Sequence, residues 1–178
     1  MNSAAATEPS EENAGGMTIE EVQAAVRDSN INPQTLLATD YLNHFNEIIM
    51  MVEMLPDIPD ILEDAMEWHP KTYIEHFEGS SIKDARLAII AYDFAEPRFR
   101  EALELTIGHM NNTVKGGLDQ LMEPVEAGDT NEIKRISGET SQRLKIFISM
   151  TNSIIQGTAS TMGQNEIDAM LTSGGSLG

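Results

Sequence analysis

The stretch FREALELTIGHMNNTVKGGLDQL, residues 99–121, decides the fold. Leu103, Ile107, Met110, Val114, Leu118 and Leu121 recur at steps of three or four, the spacing of one face of an α-helix. A continuous amphipathic helix from Phe99 is therefore expected, ending before Pro124, which lacks the amide that helix continuation requires. Gly116 and Gly117 lie inside it and weaken it by about 1 kcal/mol each relative to alanine. Such a pair permits a close helix approach or a kink.

The same period recurs on either side. After the loop at residues 126–130, Ile133, Ile136, Leu144, Phe147, Met150 and Ile154 predict a second long helix to about residue 156. Upstream, Leu42, Phe45, Ile49 and Val52 predict a third, from about 34 to 55, with Asn32-Pro33 as its cap and first turn and Pro56 as its stop. Thr18 and Glu21 have capping-box spacing and open a short helix over about 18–28. Shorter helices are expected at 59–68, 70–78 and 82–93. No alternating strand pattern competes, so the fold class is all-α, an antiparallel helical bundle. A homodimer is compatible with it, with Gly116-Gly117 as a candidate seam.

Residues 1–16 contain Ala, Ser, Pro, Glu, Asn and Gly with no large apolar side chain beyond Met1, and are expected to form a disordered arm. The bundle is expected over 17–156. Gly157 to Gly163 is small and polar, a linker that delivers a terminal peptide at 164–178.

Charge narrows the partners. Eleven Lys and Arg stand against 29 Asp and Glu, a formal net charge of -18. Phosphate backbones are bound by neutralising Lys and Arg, so neither nucleic acid nor an anionic membrane is expected as a partner. The absence of cysteine excludes disulfides, thiolate metal sites and cysteine nucleophiles. With no secretory leader pattern and no run of about 18 apolar residues, the expected location is cytoplasmic.

In the terminal peptide Gln164-Asn-Glu-Ile-Asp-Ala-Met-Leu171, Ile167, Met170 and Leu171 fall at i, i+3 and i+4, one narrow apolar face flanked by Glu166 and Asp168. A single turn is marginal alone in water, but can fold in a partner's groove with the three apolar residues as anchors. The alternative is that it packs back on its own bundle. The run resembles the response-regulator-binding peptide at the amino terminus of flagellar motor switch proteins, with Met170 in place of a leucine. Its position at the carboxyl end, after a linker and a helical body, is similar to the docking helix of CheZ-type chemotaxis phosphatases. The resemblance implies a response regulator as partner and Gln164, Glu166, Ile167, Asp168, Ala169, Met170 and Leu171 as partner-binding residues.

A phosphatase of that kind orients a water against a phospho-aspartate held with its metal ion on the regulator, and so needs no cofactor of its own. The motif of that family, Gln-Asp-Phe-Gln-Asp-Leu-Thr-Gly-Gln, is absent from this chain. A second phosphatase class presents Glu-x-x-Asn on a helix; the nearest counterpart is Asp40-Tyr-Leu-Asn43, followed by His44 and Glu47. On one continuous helix these four converge on a polar face opposite Phe45, Ile49 and Val52, where they could orient water or hold a metal. The simpler reading is a solvated face. Asp40, Asn43 and Glu47 are the catalytic candidates.

Other candidates point to structure. The acidic stretch Asp57, Asp60, Glu63, Asp64 and Glu67 reads as a solvated face, although it could meet a basic partner. Trp68, Tyr73 and Phe77 are expected at the core edge. Met50, Met51 and Met54 could form an adaptable groove, though core filling is the commoner use of methionine. The expected function is a chemotaxis or two-component accessory protein that binds a response regulator and modulates its phosphorylation or availability. A regulator phosphatase and a scaffold or chaperone-like bundle without regulator binding stand beside it.

Overall fold

A computed structural model describes residues 16–158. Its elements are α1 (Ile19–Ala25, continued by a 3-10 turn over Val26–Asp28), α2 (Asn43–Met54), α3 (Leu62–Glu67), α4 (Tyr73–Glu78), α5 (Ala85–Phe94), α6 (Pro97–Ala127) and α7 (Thr130–Ile155). Further 3-10 turns over Thr39–Leu42 and Pro59–Ile61 lead into α2 and α3. Among the described residues there is no strand, only an isolated bridge between Ile31 and Ala38, and no helix long and apolar enough to cross a membrane. The fold is all-α.

The long hairpin of α6 and α7 is the scaffold; α2 packs on α7, α3 on α6, and α5 is flanked by α1 and α4. All six apolar stripe residues of α6 and all six of α7 are buried. So are Leu42, Phe45, Ile49 and Val52. Between Ile136 and Leu144 the buried face of α7 is made of Ser137, Thr140 and Ser141, small side chains that let the helices approach. Gly117 answers them from α6: a Cβ there would lie 2.5 Å from both Thr140 Oγ1 and Cγ2.

Helix ends follow local chemistry. Thr18 and Glu21 form the expected reciprocal cap, with Thr18 N–H donating to Glu21 at 2.9 Å. A second capping box, Thr72 with Glu75, opens α4. Because α4 is a six-residue helix, it depends on that cap. Thr72→Ala is expected to lower stability by about 1 kcal/mol, read as a lower midpoint in urea at unchanged slope. An unchanged midpoint would mean that packing of Tyr73 and Phe77 alone holds α4.

Two expectations are corrected. Helix α6 runs through Pro124 to Ala127 rather than stopping before it. Proline removes one amide and crowds the preceding turn. Here, however, the helix has only its last turn left, and Gly128 in the left-handed conformation closes it, with Asp129 N–H donating to Pro124 O at 2.9 Å. The helix expected over 34–55 begins only at Asn43. Asn32 does cap, its Oδ1 accepting from Gln34 and Thr35 N–H, but Leu36 then adopts φ 59 and Ala38 is extended. The cause lies far along the chain. The Thr35 hydroxyl donates to Ile155 O, and Asn32 Nδ2 to Gln156 Oε1, so residues 32–35 clasp the end of α7 instead of entering a helix.

Candidate functional site

The three catalytic candidates occupy the entry to α2, but not as a single polar face. Asp40 belongs to the 3-10 turn Thr39–Leu42 and is half-buried, its Oδ2 accepting from Asn30 Nδ2 at 3.3 Å. Asn43 is the first residue of α2 and is exposed. Glu47, one turn further, is exposed too. His44, expected on the same polar face, is instead buried, only 5% exposed. The four side chains converge only if residues 40–47 are one continuous α-helix, and the 3-10 turn breaks that register.

What buries His44 is the extended run of residues 68–72 between α3 and α4. Trp68 lies flat on the imidazole, ring centroids 4.6 Å apart with 20° between planes. Its Nε1–H donates to His44 O at 3.1 Å. His76, on α4, approaches to 6.0 Å between ring centroids. The Nε2 atoms of His44 and His76 are both buried without a hydrogen-bond partner among the described residues. Burial first, then the charges of Lys71 and His76, pushes the His44 imidazole down to about 4. Burial also lowers His76, opposed by the backbone and carboxylate of Asp40. Both rings are therefore neutral near pH 7.

The run 68–72 is held in place by tyrosines. Tyr41 Oη donates to Lys71 O at 2.8 Å, and Tyr73 Oη accepts from Ala38 N–H at 2.8 Å. Beside it opens a cleft of about 290 Å³ lined by His44, Glu47, Met51, Asp64, Glu67, Trp68, His69 and Lys71. The cleft gathers Glu47 and buried His44 but not Asp40 or Asn43. Among the described residues, no three His, Asp or Glu side chains are placed to share a metal ion, so the metal reading of the Asp40–Glu47 cluster finds no support. No family model, curated protein or solved structure matches the chain.

The remaining candidates divide by burial. Asp57, Asp60, Glu63, Asp64 and Glu67 are all exposed, a solvated acidic face. Met50 and Met54 are exposed rather than core-filling, while Met51 is half-buried against the core. Tyr73 and Phe77 are core residues and Trp68 is partly buried, covering His44. The peptide Gln164–Leu171 and the arm over 1–15 lie outside the described residues. Of the expected linker, Gly157 and Thr158 close α7, Thr158 N–H donating to Ser153 O at 3.0 Å.

Sequence reasoning missed His76, Lys71 and the tyrosine clamp. Nothing local marks them, because each gains its place through contacts with residues about 30 positions away. The only available signal was composition: an extended-favouring Trp-His-Pro-Lys-Thr run between two helices, too polar to be core and too short to be a linker.

Proposed function

We propose that this chain is an accessory protein of a chemotaxis or two-component system, which binds a response regulator through Gln164–Leu171 and modulates its phosphorylation or availability. The observation that carries the reading is the terminal peptide itself. Its spacing would put Ile167, Met170 and Leu171 on one face of a helix, with Glu166 and Asp168 beside them, in a pattern similar to known regulator-binding peptides. The body is consistent with that division of labour. Its apolar stripes are buried by partners within residues 19–155, and α7 is capped and clasped at its end before the peptide begins.

Titration of phosphorylated and unphosphorylated regulator with the full chain and with a chain ending at Thr161 tests this directly. The full chain binds, with preference for the phospho-form, and the shortened chain does not. Equal binding by both chains, or binding by neither, overturns the reading.

A second reading, regulator phosphatase, is favoured by one observation: Asn43 and Glu47 are both exposed and one helical turn apart on α2. An amide and a carboxylate so placed can orient a water toward a phosphoryl group held with its metal ion on the regulator. In that case Asn43→Ala slows decay of the phospho-regulator while binding through the terminal peptide survives. Decay at the spontaneous rate in the presence of the unaltered chain removes the catalytic reading and leaves the binding one.

A further inference from the structure

The three tyrosines of the chain, Tyr41, Tyr73 and Tyr92, come from three different elements and line one cleft of about 480 Å³. Leu103, Ile107 and Gly108 of α6 complete its apolar wall. Tyr73 and Tyr92 stack at 4.5 Å between centroids, and Tyr41 packs on Tyr73 at 5.3 Å, so the aromatic side is a fixed assembly. That volume lies within the roughly 300–1,000 Å³ range of small-ligand pockets.

The charged groups at this cleft are mostly acidic. Glu75 and Glu104 bring two carboxylates against the single ammonium of Lys71. Tyr92 Oη donates to Glu104 Oε1 at 2.7 Å, which orients that carboxylate. Asn111 also lines the cleft, and its Oδ1 is buried with no donor among the described residues. A buried acceptor without a donor carries a desolvation cost that a ligand N–H would remove. The negative field reaches the cleft's interior: the Tyr41 hydroxyl is raised far above its usual value, first by burial and then by Glu75 and Glu104.

We propose that this cleft is a binding site for a small organic cation, a primary amine or amidine on an aromatic or branched apolar body. The apolar portion fills the space between the tyrosines and α6, and the nitrogen donates to Glu104 and Asn111. This site is separate from the terminal peptide, so the proposal stands whether or not the chain binds a regulator.

Gly108 supplies a clean control. A Cβ built there meets nothing within 4 Å, so a side chain can start from this lining position without displacing a neighbour. Titrating the full-length chain with phenethylamine, followed by calorimetry and by the amide shift of Gly108, is expected to show saturable binding. The anion on the same phenethyl body, 3-phenylpropionate, should not bind. Glu104→Gln, at an exposed position, should weaken the amine at least about tenfold, the scale of one lost charge-assisted hydrogen bond. Gly108→Leu should abolish binding with the melting temperature maintained. Equal affinity for the amine and the anion, unchanged affinity in Glu104→Gln, or binding only of a lysine-containing peptide and not of the free amine would each overturn the proposal.

Discussion

Gly117→Ala is expected to destabilise the fold by about 2 kcal/mol, while the same change at its neighbour, Gly116→Ala, stabilises it by about 1 kcal/mol. The two positions are adjacent on one helix, so intrinsic helix propensity favours alanine equally at both. What separates them is the partner. At Gly116 a Cβ meets nothing within 4 Å; at Gly117 it meets two substituents of Thr140 at 2.5 Å and the Thr140 Cβ at 3.1 Å. Threonine cannot step aside. Two of its three staggered positions hold heavy atoms facing Gly117, and a rotation exchanges at most one of them for hydrogen. The α6–α7 separation would have to grow, loosening Val114, Leu118 and Ile136 on either side.

The double change Gly117→Ala with Thr140→Ala removes both clashing atoms and should recover most of the loss, a coupling read directly from chemical denaturation of the four chains. Equal effects at Gly116 and Gly117 would mean that the helices are not in contact there. The contact also bears on the sequence reading: a glycine pair in a helix is ambiguous between a seam within the chain and a seam between two chains. Here Gly117 is spent inside the hairpin, against Thr140 of the same chain, and only Gly116 remains toward the surface.

Periodicity carried the fold because burial in a helical hairpin is mostly a matter of one repeating face. Every stripe position named on α6 and α7 is buried, down to the small-residue gap that Ser137, Thr140 and Ser141 make opposite Gly117. The segment before α2 was not legible for a reason equally physical. Asn32-Pro33 begins a helix in isolation, and the local sequence offers nothing to stop it. The stop comes from the Ile155 carbonyl, which takes the Thr35 hydroxyl, and from the packing that holds buried Leu36 at φ 59, a left-handed backbone costing about 1–2 kcal/mol for a residue with a Cβ. No window of sequence contains both ends of that contact. The same displacement split the Asp40–Glu47 constellation, since its geometry assumed a helix already under way at Asp40. His44 then turned inward because Trp68 and His76, from later elements, build an aromatic enclosure around it.

That enclosure makes His44 the group through which acid should act on the fold. Its imidazole titrates near 6.5 in the unfolded chain and is lowered to about 4 when folded. The folded state holds the neutral ring, so below about pH 6.5 the unfolded chain takes up a proton that the folded chain refuses. His44's contribution is therefore complete above that value and lost progressively as the pH falls toward 4, at most on the order of 3 kcal/mol. His76, lowered by the same cause, acts with the same sign. Measuring unfolding free energy by denaturant between pH 7.5 and 4.5 should give a falling curve for the unaltered chain. In His44→Phe the fall should be shallower, because phenylalanine keeps a ring against Trp68 and cannot bind a proton. If both chains lose stability in parallel, the proton goes elsewhere and His44 is not held neutral by its burial. A shallower curve for His44→Phe would identify the aromatic enclosure of Trp68 and His76 as the element through which acid unfolds the body.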